Sequence, residues 1–225
     1  MRIDAVDFTP LILSFQVAAL ATPIAGVTGT AVGAWLSRAR FPGVHLVDAL
    51  LTAPMVLPPT VLGYYLLVAV GSRSFVGRAY EAVTGSSLVF TRTGVILAAA
   101  LGGFPIVVKA ARAALEDVDP NFVRAARTLG AGPVRAFLTV QLPLAGRGIV
   151  ASVMLAFVRA LGDFGVTLMI GGDIPGETQT ASLAIYDAVL SHREAEALVM
   201  AVLLSVFAIS VLYAVNRMTA KHHAR

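Results

Sequence analysis

Residues Asn121–Pro143 read NFVRAARTLGAGPVRAFLTVQLP. Three arginines (Arg124, Arg127, Arg135) and breaks at Gly130, Gly132, Pro133 and Pro143 interrupt a chain that is otherwise oily. Asp119 before Pro120 is an N-cap residue followed by proline at the first helical position. Phe122, Ala125, Ala126 and Leu129 then recur at i, i+3, i+4 and i+7, so they share one helix face. Gly130 follows the last apolar residue, as a left-handed C-terminal cap does. Pro133 restarts a helix that carries Arg135, and Pro143 is expected to break or kink it. The spacing predicts a basic helical hairpin over about 116–145. Its small residues, Ala125 and Ala126, allow close approach of another backbone. Two readings follow: a docking element for a separate protein, or an interfacial loop held to anionic lipid by its arginines.

The hairpin lies between apolar runs of membrane length. The chain is 57% hydrophobic and 13% charged over 225 residues, against about 45–50% and about 25% in a soluble domain. Apolar runs at about 11–36, 49–70, 93–114, 148–170 and 197–215 each suit a transmembrane helix. The third is strongly apolar only from Thr93 to Val108, and its basic end must snorkel. The alternating pattern of a membrane β-barrel is absent. The expectation is an all-α integral membrane protein with about five spans, a single transmembrane domain over 1–225. With no cysteine, neither disulfides nor thiolate metal sites arise. "MRIDAVDF" has no basic n-region and no small-residue cleavage site, so no removable signal peptide is expected.

Five spans put the termini on opposite sides. With the N-terminus outside, eleven of the 17 basic residues fall on inner segments and five on outer ones, leaving Arg159 in the membrane. The positive-inside rule therefore predicts N-out and C-in, with the hairpin cytoplasmic. The acidic outer segments "GGDIPGETQ" and "REAE" agree. The second outer loop does not, since Arg73, Arg78 and Arg92 face only Glu81 there.

The hairpin resembles the "EAA" signature of ABC-importer permeases, E-A-A-x-x-x-G, nine residues, then I-x-L-P. Arg124, Ala125 and Ala126 take the first three places, Gly130 the glycine, and Val140, Leu142 and Pro143 the end. Arg124 departs from the signature's glutamate, so the resemblance implies no acid-dependent contact with a partner at this position. The stretches "LTAPMVLPPTVLGYYLL" and "RALGDFGVTLMIGGDIPGETQTASLAIYDAV", with the short five-span layout, resemble the molybdate-transport permeases. Sulfate/thiosulfate permeases share much of the second stretch but are usually longer. The resemblance implies the type I importer architecture and a homodimer in the inner membrane. It also implies a cytoplasmic ABC ATPase dimer docked on Phe122, Arg124, Ala125, Ala126, Leu129, Gly130, Leu142 and Pro143. An extracytoplasmic binding protein would deliver molybdate or tungstate. The chain itself would bind no cofactor, ATP and magnesium being used by the partner, and no nucleic acid.

Several other stretches have two readings each. Arg159 and Asp163 lie at i and i+4 inside a span, where charge is costly. They either meet a substrate oxyanion or lock a kink between Gly162 and Gly165. "LPPT" places Pro58, Pro59 and Thr60 in mid-span, either lining a route, as broken helices do in transporters, or forming a static kink. "GTAVG", Gly29 to Gly33, is a small-xxx-small motif that packs helices within one subunit or at a dimer seam. "GGDIPGETQT" is a contact for a delivery protein or a linker. His222 and His223 in the basic tail do not make a metal site, "HREAE" lacks zinc-protease spacing, and no phosphate-binding G-x-x-x-x-G-K-[ST] loop occurs.

The importer reading has two competitors. An ATP-independent anion channel or secondary transporter needs coupling groups in the membrane, and only Arg159 and Asp163 qualify. An intramembrane enzyme needs convergent catalytic groups. No Ser–His or paired-acid arrangement occurs, and His45 and His192 fall at expected loop positions.

Overall fold

The computed structural model describes residues 7–220, so Arg2, Asp4, Lys221, His222, His223 and Arg225 lie outside the described residues. The order is α1 Thr9–Leu36, α2 Val44–Thr52, α3 Pro59–Val70, α4 Phe75–Thr84, α5 Arg92–Glu116, α6 Pro120–Thr128, α7 Pro133–Ala136, α8 Leu142–Leu161, α9 Gly165–Gly171, α10 Ala181–Leu190 and α11 Glu194–Ala220. No strand occurs among the described residues. Four helical segments are long and apolar enough to cross a membrane, and the bent pair α2–α3 makes a fifth if counted as one span.

α1, α5 and α8 form the centre. Leu13, Val17 and Ala21 of α1 meet Val95 and Ala99 of α5 and Ala160 and Leu161 of α8. In lipid the packing of small residues, rather than exclusion from water, brings helices together. "GTAVG" works this way inside one chain. A Cβ on Gly29 would lie 2.8 Å from Val107 Cβ, and one on Gly33 would lie 2.8 Å from the Val108 carbonyl oxygen. α11 joins through Phe207, whose ring stands edge-on to Phe15 at 4.4 Å and to Phe157 at 6.2 Å.

Two of the expected spans are broken. The run 49–70 is not one helix. α2 ends in a 3₁₀ turn at Ala53–Met55, α3 starts at Pro59, and the two helical arms are bent by 108°. Pro58 and Pro59 supply no N–H, and the residue before a proline is driven out of the helical region. Pro58 accordingly sits at ψ 136. The run 148–170 ends as a helix at Leu161 and restarts at Gly165.

The expected break at Pro143 is absent. Pro133–Leu161 is one helical segment, with a π turn at Phe137–Gln141. The Leu142 N–H donates to the Phe137 oxygen, one residue further back than in an α-helix. Pro143 then falls in the first turn of α8, where its missing N–H costs little. His45 is also not in a loop but in the first turn of α2, whereas His192 lies in the turn before α11 at φ 55.

Candidate functional site: a basic hairpin joined to two broken spans

The hairpin is built as its residues dictate. Asp119 Oδ1 accepts the Asn121 N–H at 2.8 Å and caps α6. At the other end Gly130 adopts φ 86, its N–H donates to the Arg127 oxygen, and the Ala131 N–H reaches back to Ala126. This pair of bonds is a Schellman cap, which needs the left-handed residue that glycine supplies. No α6 residue is buried. Val123 and Ala126 are half-buried, and the helix packs on α7 and the π turn. Arg124 and Ala125 are exposed, as are Phe122 (56%) and Leu129 (88%). Leu142, half-buried, and Pro143, exposed, lie in the first turn of α8.

The hairpin's base is tied to the spans. Arg38, just past α1, donates to Gln141 Oε1 at 2.7 Å and lies 4.0 Å from the centre of the Phe137 ring. Gln141 Nε2 donates to the Leu115 carbonyl at 3.1 Å, near the end of α5. Ala34, Leu115 and Ala145 pack beside these contacts with Phe137. Close by in sequence, Asp48 of α2 pairs with Lys109 at 2.6 Å and Arg112 at 3.4 Å, linking the first arm of the broken span to α5. The sequence reading missed Arg38, Gln141 and Asp48. A lone glutamine between apolar residues was the available signal for Gln141.

At the other proposed site the structure divides the candidate residues. Asp163 is 2% exposed and its carboxylate is fully engaged. Oδ1 accepts from Arg159 at 2.9 Å, while Oδ2 accepts the Thr167 N–H at 3.1 Å and the Thr167 hydroxyl at 2.6 Å. Asp163 thus replaces the bonds lost between α8 and α9. The i,i+4 spacing of Thr167 from Asp163 is the sequence signal for this contact. Gly165 is a close-approach position: a Cβ there would lie 2.7 Å from Pro59 Cβ, so the two breaks touch. Gly162 is exposed at the end of α8. Pro58, Pro59 and Arg159 line one cavity of about 390 Å³, with Leu57, Leu62 and Gly102 among the other walls. Thr60, Gly162, Asp163 and Gly165 do not line it.

The far loop, 172–180, is fixed. Thr178 Oγ1 donates to the Gly171 carbonyl at 2.7 Å, and Ser14 of α1 accepts the Ala181 N–H at 2.8 Å. Arg92 donates to the carbonyls of Gly176 (2.8 Å) and Glu177 (3.2 Å). Asp173 and Glu177 remain exposed. Arg92, one of the basic residues at odds with the charge rule, therefore holds backbone oxygens. No group of three or more metal-ligating side chains occurs among the described residues.

The described residues form a helical membrane domain with two broken spans and an exposed, basic helical hairpin. The chain belongs to the family described as binding-protein-dependent transport system inner membrane component, which matches residues 11–222. It is 44% identical over 180 residues to the molybdenum transport system permease protein ModB of Escherichia coli (strain K12), covering 80% of this chain and 79% of that one. It is 30% identical over 226 residues to the sulfate transport system permease protein CysT of Salmonella typhimurium, covering 99% of this chain and 81% of that one. Among solved structures it superimposes on a chain of the MetNI methionine ABC transporter in an inward-facing conformation. The TM-score is 0.72 at 18% identity, over 93% of this chain and 92% of the other. The fold is that of a type I ABC-importer permease.

Proposed function

We propose that this chain is the membrane-spanning subunit of an ATP-driven importer that moves molybdate or tungstate into the cytoplasm. The observation that carries the importer reading is α6: capped at both ends, packed on a π turn that Arg38 and Gln141 join to the ends of α1 and α5, yet with Phe122 and Leu129 uncovered. A loop held only to lipid by its arginines needs no such rigid base. The substrate reading is supported by the relatives, at 44% identity to a molybdenum permease and 30% to a sulfate permease.

The arrangement is N-terminus outside and C-terminus cytoplasmic, supported by the arginine-rich α6–α7 hairpin and the acidic, exposed Asp173 and Glu177 at the opposite loop. A separate ATPase pair binds ATP and magnesium and receives α6 in a groove. Two copies of this chain form the pathway, and a binding protein docks on the loop at 172–180. Closure of the ATPase pair draws the two α6 helices together. Because α7, the π turn and α8 are one helical segment, that displacement reaches the breaks at 56–58 and 162–164. Opening a pathway needs such elements with two arrangements, and the molecule alternates between outward and inward access.

Element-resolved mass spectrometry of cells with and without the gene, at nanomolar oxyanion and excess sulfate, tests the substrate. Loss of molybdenum or tungsten uptake alone is the expected result. Loss of sulfur uptake would transfer the protein to the sulfate class, and unchanged uptake of all three would contradict the importer reading.

Gln141→Leu tests the link to the spans. It removes two hydrogen bonds at the hairpin's base, each worth about 0.5–1.5 kcal/mol or more where charged. The expected outcome is retained ATP hydrolysis with transport per ATP reduced about 3–10-fold. Equal loss of hydrolysis and transport would count against a transmission role.

A further inference from the structure

The deepest charge in the spans has a geometry that the importer reading leaves unused. Arg159 lies twelve residues along α8 from Arg147, roughly 18 Å at 1.5 Å per residue, which is about mid-depth in a 30 Å hydrocarbon core. Its guanidinium donates once, to Asp163 Oδ1, and no other acceptor is recorded for it among the described residues. The side chain is 37% exposed, while its partner carboxylate is 2% exposed. Asp163 cannot follow Arg159 outward, because Oδ2 is held by the Thr167 N–H and hydroxyl. Arg159 is therefore an anchored fork, with most of its five donors free. It forms part of the wall of the 390 Å³ cavity at the Pro58–Pro59 break.

From this juxtaposition we propose that Arg159 is the transit contact for the oxyanion: its free N–H groups bind two oxygens of a tetrahedral dianion in the cavity between α3 and α8. The inference rests on the importer reading. Guanidinium geometry matches a pair of oxygens, which an ammonium does not. A buried, structural Arg–Asp pair would spend the arginine on the carboxylate and on neighbouring carbonyls. Here the acid is saturated and the base is not. The pair also carries no net charge. The site thus offers donors without a fixed excess of positive charge, so the dianion can enter and also leave, as conduction requires. The other walls, Pro54–Pro59, Leu62, Gly102 and Ile106, add no second charge. The arginine is then the element that discriminates anions from cations at this depth.

The test uses the whole transporter in proteoliposomes, with its ATPase and binding protein, reading molybdate uptake and ATP hydrolysis together. Arg159→Gln is expected to reduce molybdate moved per ATP about tenfold or more, with stimulation of hydrolysis by the binding protein preserved within about twofold. Arg159→Lys keeps a cation for Asp163, so it is expected to assemble normally. It is also expected to remain several-fold below the parent, because the paired N–H geometry is gone. Full activity in either variant overturns the proposal. If Arg159→Gln fails to accumulate, Arg159→Lys decides: full rescue means a structural ion pair, and a transport deficit with normal hydrolysis supports the contact. If the parent moves molybdate and the variants match it, only this inference falls. If the parent moves no molybdate, tungstate or sulfate, the importer reading falls and takes the inference with it.

Discussion

A permease carrying Phe122→Asp and Leu129→Asp is expected to reach the membrane in normal amount and to retain no ATPase subunit on purification. Both side chains are exposed in the isolated chain, Leu129 at 88%, so their replacement costs the permease little. In the proposed complex with the ATPase they would be the apolar anchors of α6. Truncated interface anchors typically cost about 2–4 kcal/mol each, and a buried unpaired carboxylate adds to that. The combined loss is on the order of a thousandfold in affinity or more. Co-purification of the ATPase, with transport as the second readout, checks it. An ATPase that stays bound would show that α6 is not the docking surface. Arg124→Glu, which restores the acid of the family signature, is expected to leave the complex intact.

Gly33→Leu should do the opposite: fail before any partner matters. The added Cβ would stand 2.8 Å from the Val108 carbonyl oxygen and 3.0 Å from the Arg112 nitrogen. Both are backbone atoms of α5, so no rotamer change relieves the contact and the helices must separate. Overpacking costs about 1–3 kcal/mol and more where backbone must move. The expectation is a melting temperature in detergent lower by on the order of 10 °C and several-fold lower accumulation. Gly146→Ala is the control, because a Cβ there meets nothing within 4 Å. It should be neutral or slightly stabilising. Normal melting of Gly33→Leu would mean that α1 and α5 are not packed in this way.

Phe122 and Leu129 share a face fixed by local helix spacing, whereas Gly33 matters through a helix more than seventy residues away. Apolar runs and scarce charge already specify the bilayer, and Asp119, Pro120 and Gly130 specify the limits of α6. Those signals are local: a cap, a missing N–H, or a residue that tolerates positive φ acts within one turn. The sequence also placed Arg159 and Asp163 on one face, because i,i+4 is fixed by the helix.

The remaining features depend on contacts between distant helices. Pro143 reads as a break, yet a π turn carries the helix past it, and that turn is held by Arg38, which donates to its Gln141 across 103 residues of sequence. "GTAVG" permits close packing against any helix, and only the fold selects α5 of the same chain. The breaks at Pro58–Pro59 and at 162–164 are visible separately, but their contact through Gly165 and Pro59 is not. The division between Asp163, saturated and buried, and Arg159, facing a cavity, depends on Thr167 and on α3 together. Helix and turn chemistry is written residue by residue along the chain. Which faces meet depends on the packing of distant helices, and in a membrane small residues make many such pairings possible.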